Sequence, residues 1–171
     1  IDLSEAARQP LINEDGTLAL AFNGEIYNYQ SLREDLLQHG HRFRSQSDAE
    51  VILHLYEERG IECLHALRGM FAFALWDQSR QRLFLARDRV GKKPLKYYTD
   101  GRRLVFASEL KAILRLPGIP REEDSLAIHH YLTFGYCPAP LTGLQNIHKL
   151  PAGYYLLAEK GEITRRRYWQ L

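Results

Sequence analysis

Met70-Phe71-Ala72-Phe73-Ala74-Leu75-Trp76 carries the clearest structural signal in the chain. Large residues (Phe71, Phe73, Leu75) alternate with small ones (Ala72, Ala74), the two-residue period of a β-strand. Both faces are apolar, so this strand is expected to be covered on both sides. Asp77-Gln78-Ser79-Arg80 follows with turn composition, and residues 82–86 return as the partner strand. Two more hairpins are expected downstream. One turns at Thr99-Asp100-Gly101-Arg102, between strands at 95–98 and 104–107. The other turns at Glu159-Lys160-Gly161-Glu162, between strands at 154–157 and 163–168. Three short links specify antiparallel sheet, because parallel neighbours need long crossovers.

Upstream, residues 18–22 read as a short buried strand closed by Asn23-Gly24. Tyr29, Leu32, Leu36 and Leu37 then recur at helical spacing, with Gly40 as the stop. Ser47-Asp48-Ala49-Glu50 has the spacing of a capping box, and Val51, Ile52, Leu55 and Tyr56 form the apolar stripe of a helix ending near Gly60. Ser108 is expected to cap a short helix through Leu114, and residues 126–134 to form another helix. Cys137-Pro138-Ala139-Pro140 is expected to be extended, since proline forbids helix. Doubly covered strands with few helices imply two stacked sheets shielded by helices, a layered α+β architecture. Residues 1–116 read as the core domain, and 117–171 as its C-terminal part leading into a further domain. No internal repeat is visible. Ile1-Asp2-Leu3 reads as the continuation of a strand.

The 171 residues and 19.9 kDa suffice for one sizeable core. With 23 basic against 21 acidic residues the net charge is +2, which gives no strong field for nucleic acid or membrane. The two cysteines, Cys63 and Cys137, lie far apart, so neither a disulfide framework nor a cysteine zinc site is expected. They read as buried thiols in a reducing compartment. No apolar run is long enough to span a bilayer, and no signal segment opens the chain. A cytoplasmic protein fits these features.

Asn23-Gly24-Glu25-Ile26-Tyr27-Asn28 is the sharpest chemical feature. An Asn amide beside an exposed glycine N–H makes a two-donor pair able to stabilise an oxyanion, although a plain Asn-Gly turn has the same spelling. Asp48, in the first turn of its helix, is favoured as a carboxylate by the helix dipole and suited to a substrate ammonium. A favourable helix-start charge is the plainer reading. Arg87-Asp88-Arg89 and Gly91-Lys92-Lys93 form a basic loop that could face phosphate or a partner domain; a solvated hairpin end is the plainer reading, and the phosphate-loop spacing is absent. His129-His130 point to different helix faces and cannot chelate together. Arg165-Arg166-Arg167 read as solvated or interface charge. Cys63 looks structural, Cys137 has no base nearby, and no Ser nucleophile elbow occurs.

Phe22-Asn23-Gly24-Glu25-Ile26-Tyr27-Asn28-Tyr29 resembles the glutaminase domain of glutamine-hydrolysing asparagine synthetases. So do Ser47-Asp48-Ala49-Glu50-Val51-Ile52-Leu53, Leu67-Arg68-Gly69-Met70-Phe71-Ala72-Phe73-Ala74 and Ala86-Arg87-Asp88-Arg89-Val90-Gly91-Lys92-Lys93-Pro94-Leu95. Ala107-Ser108-Glu109-Leu110-Lys111-Ala112 and Lys149-Leu150-Pro151-Ala152-Gly153 complete a match in order along nearly the whole chain. The resemblance implies a class II glutamine amidotransferase domain of the N-terminal-nucleophile hydrolase type. Its fold would be a four-layer αββα sandwich, incomplete at the N-terminus here. An N-terminal Cys would attack the glutamine amide with its own α-amine as base, form a thioester and release ammonia.

By the same resemblance, Asn23 and Gly24 would form the oxyanion hole, Glu25 would help hold the glutamine, and Asp48 would bind its α-amine. No cofactor or metal is expected in this domain. ATP and Mg²⁺ would belong to a C-terminal synthetase domain that amidates aspartate. L-glutamine and that domain are the expected partners, with nucleic acid and membrane excluded and a homodimer left open. The Cys-Gly start, the Arg-Gly-Pro-Asp segment, and the Arg-Leu-Ser-Ile strand whose last residue would be Ile1 lie outside these residues. The 171-residue polypeptide alone is therefore expected to be inactive and marginally stable. A non-catalytic glutamine-binding or protein-interaction module on the same fold is the competing reading. Nucleic-acid binding through 165–167 is a distant third.

Overall fold

A computed structural model describes residues 4–171. The strand continuation read at Ile1-Asp2-Leu3 lies outside the described residues. The apolar alternation at 70–76 forms β3 (Gly69–Asp77), paired antiparallel on one side with β2 (Leu18–Ile26) and on the other with β4 (Arg82–Arg87). The short β1 (Leu11–Ile12) pairs with β2. The last hairpin, β8 (Tyr154–Glu159) and β9 (Glu162–Arg167), joins through β4·β8 pairing and completes a six-stranded sheet ordered β1-β2-β3-β4-β8-β9. The middle hairpin, β5 (Lys96–Thr99) and β6 (Leu104–Ala107), instead joins β7 (Ile147–Lys149) in a three-stranded antiparallel sheet.

One face of the larger sheet carries Leu20, Phe73, Leu75 and Phe84 in register. Helices α1 (Tyr29–Gln38), α2 (Glu50–Arg59) and α3 (Cys63–Ala66) supply Leu36, Val51, Ile52, Leu55 and Leu64 to the same core. On the other face Ala72, Ala74 and Leu85 are buried as well, so the expectation that β3 is buried on both faces holds. The smaller sheet has its own core of Tyr98, Ile113, Ile119 and Ile147, with α4 (Leu110–Ile113) beside it.

The chain divides into two compact units. One runs to Lys93 and resumes at Gly153–Leu171; the other is Pro94–Ala152. The division at 116/117 read from the sequence falls inside the second unit. The Pro117–Pro120 segment is a local turn, while the strands that close each sheet come from further along.

Several local expectations are corrected. The first strand does not stop at Asn23-Gly24 but continues to Ile26, because both residues pair with β3, Asn23 opposite Ala72 and Gly24 opposite Phe71. The capping box does not close. Ser47 Oγ accepts from Ala49 N–H at 3.2 Å, while the Glu50 carboxylate reaches back to Arg44 N–H, Ser45 N–H and Ser45 Oγ at 2.7, 2.8 and 2.5 Å. Three donors in a buried corner outbid the one donor a box would offer. The residue at the N-terminus of α4 is Glu109 rather than Ser108, and the Ser108 carbonyl accepts from Lys96 Nζ. The stretch 137–140 is not extended throughout: residues 139–140 form a turn, closed by Leu141 N–H donating to the Pro138 carbonyl at 2.9 Å. Helix α5 (Ser125–Phe134) forms where expected, with Asp124 accepting from Leu126 and Ala127 N–H and Gly135 ending it in the left-handed region.

Candidate functional site

The C-terminal end of β2 and the loop before α2 enclose a pocket of about 250 Å³, lined by Glu25, Ile26, Tyr27, Tyr29, Gln46 and Asp48. All six belong to the first unit. Asp48 lies in the turn before α2, not in its first helical turn. Its Oδ2 accepts from Ile26 N–H at 2.7 Å, a charge-assisted bond that ties the loop to the strand end.

Ile26 N–H and Phe22 N–H, which donates to Gln9 Oε1 at 2.7 Å, both leave β2 on the edge away from β3. Strand N–H groups alternate between edges, so the Gly24 N–H between them points to that same edge. Asn23 and Glu25 share one sheet face by the alternation of the strand. The structure thus gathers Glu25 and Asp48 at one pocket, with Gly24 and Asn23 directly upstream on the strand that supplies Glu25.

Gly24 earns its place in the sheet first. A Cβ there would sit 2.1 Å from the Met70 carbonyl oxygen, and one at Gly69 would sit 2.2 Å from the Glu25 carbonyl oxygen. Two glycines let β2 and β3 approach closely where the pocket begins.

Sequence reasoning missed the groups that hold this corner. Asn28 Nδ2 donates to the Ala66 carbonyl at 3.0 Å, Asn28 Oδ1 accepts from Arg68 N–H at 2.9 Å, and Tyr27 N–H donates to the Arg68 carbonyl at 2.7 Å. The Ile26 N–H was equally invisible, since a backbone donor has no sequence signature. Tyr29, placed by its spacing on the apolar stripe of α1, also lines the pocket.

Neither cysteine lines the pocket. Cys63 is buried, and burial pushes its thiol up to about 12, so at neutral pH it holds no thiolate. Cys137, expected to be buried, is half-buried and donates its thiol to the Ala127 carbonyl at 3.5 Å.

The basic loop after β4 is not a solvated hairpin end. Asp88 is fully buried, and its carboxylate accepts from the N–H groups of Phe71, Val90, Lys92 and Lys93 at 2.9–3.2 Å. Arg87 donates to the Gly91 and Lys93 carbonyls, both at 2.7 Å. The loop is organised around these two side chains rather than around a ligand. Arg165–Arg167 lie on the exposed edge strand β9, as solvated charge. Charged edge residues of this kind discourage strand addition. Among the described residues no helix is long and apolar enough to cross a membrane.

Residues 1–169 match the family described as a glutamine amidotransferase domain. The chain belongs to this family. It is 39% identical to the glutamine-hydrolysing asparagine synthetase 2 of Bacillus subtilis, across 96% of this chain and 23% of that protein. It is 35% identical to the putative glutamine-hydrolysing asparagine synthetase 2 of Methanocaldococcus jannaschii, across all of this chain and 36% of that one. This glutamine amidotransferase domain therefore spans about a quarter to a third of the length of these relatives. Its fold matches that of the glutamine phosphoribosylpyrophosphate amidotransferase from B. subtilis, with a TM-score of 0.68 at 22% identity over 98% of this chain. The α+β fold expected from the sequence, with antiparallel sheets and helices, is the observed one.

Proposed function

We propose that this amidotransferase domain binds L-glutamine in the pocket between Glu25 and Asp48 and releases its amide nitrogen as ammonia. The supporting observation is the Asp48 carboxylate, fixed at the pocket by the Ile26 N–H at 2.7 Å and facing the same space as Glu25. Asp48 takes the glutamine α-ammonium by charge pairing, and Glu25 holds the substrate from the strand side. The substrate's side-chain carbonyl then lies toward Gly24 and Asn23.

Attack on that carbonyl by a cysteine thiolate, contributed from outside the 171 residues, places negative charge on oxygen. The Gly24 N–H and the Asn23 side-chain amide stabilise it, each worth about 3 kcal/mol in the transition state. Collapse of the intermediate leaves a thioester and expels ammonia, the amide nitrogen taking up the proton that the cysteine's own α-amine had drawn from the thiol. Water then hydrolyses the thioester to glutamate and restores the thiol, so the sum is glutamine plus water giving glutamate plus ammonia. In the full-length protein we assign the ammonia to a synthetase domain that amidates aspartate with ATP and Mg²⁺, in line with the asparagine synthetase relatives.

The test is Asp48→Asn in the full-length protein. Loss of a charge-assisted contact of about 1.5–3 kcal/mol should raise KM for glutamine roughly 10- to 150-fold. Synthesis fed by free ammonia should be unchanged. A KM that does not move would overturn the assignment of Asp48. A full-length protein that binds glutamine but never hydrolyses it would make the domain a binding module instead.

A further inference from the structure

We propose that His41, His54 and Glu57 form a binding site for a divalent cation of the zinc class, separate from the glutamine pocket. One ligand atom from each of the three lies within 4.8 Å of the others. Glu57 Oε2 stands 2.9 Å from His54 Nδ1 and 3.3 Å from His41 Nδ1. Ligands held about 2.0–2.2 Å from a tetrahedral zinc stand about 3.3–3.6 Å apart. The two distances from Glu57 lie within a few tenths of an ångström of that, and the two histidines, within 4.8 Å of each other, would close by up to about 1 Å to seat the ion. Glu14, whose Oε2 lies 4.0 Å from His54 Nδ1, is the fourth ligand within reach. Two imidazoles and carboxylates are a donor set that suits zinc.

A carboxylate stands behind each ring, and the one behind His41 is placed as a metal site requires. A ligating histidine normally gives its second ring nitrogen to a carboxylate, which fixes the tautomer and the ring. His41 Nε2 lies 2.9 Å from Glu58 Oε1. His54 Nε2 faces Glu50 Oε1 at 3.8 Å, and Glu50 is itself anchored by Arg44 and Ser45. Glu57 is oriented too: its Oε1 accepts from Asn13 Nδ2 at 2.7 Å, which leaves Oε2 toward the histidines. His54 is buried, and its Nε2 has no hydrogen-bond partner among the described residues. The edge of Phe43 covers the His54 ring at 4.5 Å.

The plainer account is an imidazolium caged by carboxylates. Burial alone would lower the pKa of His54, but Glu50 and Glu57 raise it to about 9. Carboxylates of Glu14, Glu50 and Glu57 stand within 4.0 Å of the His54 ring nitrogens. A divalent cation takes the place of the Nδ1 proton and releases it to solvent. The ligands come from three stretches: the turn after β1, the link between α1 and α2, and α2 itself. That link also carries Gln46 and Asp48, so the ion would hold the segment that lines the glutamine pocket. In the sequence the ligands are spread over 14–57, and the His-x-x-Glu on α2 is too short a pattern to announce a metal.

The experiment is titration of chelator-treated full-length protein with Zn²⁺ and Co²⁺, beside His41→Ala and Glu57→Gln. Neither His41 nor Glu57 is a core residue, so both variants should fold, whereas a His54 variant risks the core. The expected result is one tight Zn²⁺ per chain that raises Tm, with tetrahedral visible bands for Co²⁺. Each variant should weaken that Kd by more than the roughly 10- to 100-fold that loss of an outer partner costs. Zinc uptake equal in wild type and both variants, or no Tm rise with Zn²⁺, would overturn the site and leave the caged imidazolium.

Discussion

At Gly24 the neighbouring backbone excludes any side chain, and this is a residue whose reading changed most between sequence and structure. Asn23-Gly24 has the spelling of a tight turn, yet the chain runs straight through it. What decides the matter is Met70, whose carbonyl oxygen would lie 2.1 Å from a Gly24 Cβ, with Phe71 Cα at 2.8 Å. No local rule can see a cross-strand neighbour so distant in sequence. Both obstructing atoms are backbone and cannot rotate away, so Gly24→Ala must push β2 off β3. The expected cost is about 1–3 kcal/mol, read as a lower denaturant midpoint. Glu25 and Ile26 follow in the same strand, so glutamine hydrolysis should fall as well. A variant with an unchanged midpoint would mean that the two strands separate at no cost.

Among the elements, the β3–β4 hairpin shows what pattern reading captures and what it leaves out. Its turn was visible in Asp77-Gln78-Ser79-Arg80, because those residue types favour turns. The tie from that turn to a helix was not visible. Asp77 is buried; it accepts from Arg80 N–H and Nη1, both at 2.9 Å, and from the Tyr56 hydroxyl of α2 at 3.0 Å. Asp88 after β4 is a parallel case, since its four backbone donors belong to a loop that read as solvated charge. Burial pushes the Asp77 carboxyl up, but the bonds from Arg80 and Tyr56 outweigh it and hold it below the ordinary value of 3.8. A folded value below the unfolded one means that the carboxylate stabilises the fold above about pH 4. That contribution is lost as pH falls through the lower folded value. Asp77→Asn should therefore cost about 1–3 kcal/mol near neutrality, and the gap to wild type should narrow as pH drops below 4. Urea titrations at several pH values check this; a gap that is constant down to pH 2 would contradict it.

For the molecule as a whole, the alternation of β3 and the three hairpins were legible because each rests on contacts between near neighbours in sequence. Sheet membership was not. The β3–β4 and β8–β9 hairpins join through β4·β8, where Arg82 meets Glu159, while the β5–β6 hairpin joins β7. Many hairpins carry the same local pattern, and only long-range burial selects the partner. For the same reason residues 22–29 and 47–53 stood out as strings, but the bond from Ile26 N–H to Asp48 that joins them did not. The resulting sheet order sets a gradient of stability. β3 and β4 are flanked by strands on both sides and contribute Phe73, Leu75 and Phe84 to the core. Among the described residues β9 has one neighbouring strand, and all six of its residues are exposed. Local opening follows exposure and contact, so hydrogen exchange should be slowest at β3 and β4 and fastest among the strands at β9. The strand-by-strand order can be read by exchange mass spectrometry on the 171-residue chain. If β9 amides were as protected as those of β3, the outer edge would have to be covered in solution, and the arginines of 165–167 would be contact residues rather than guards of an open edge.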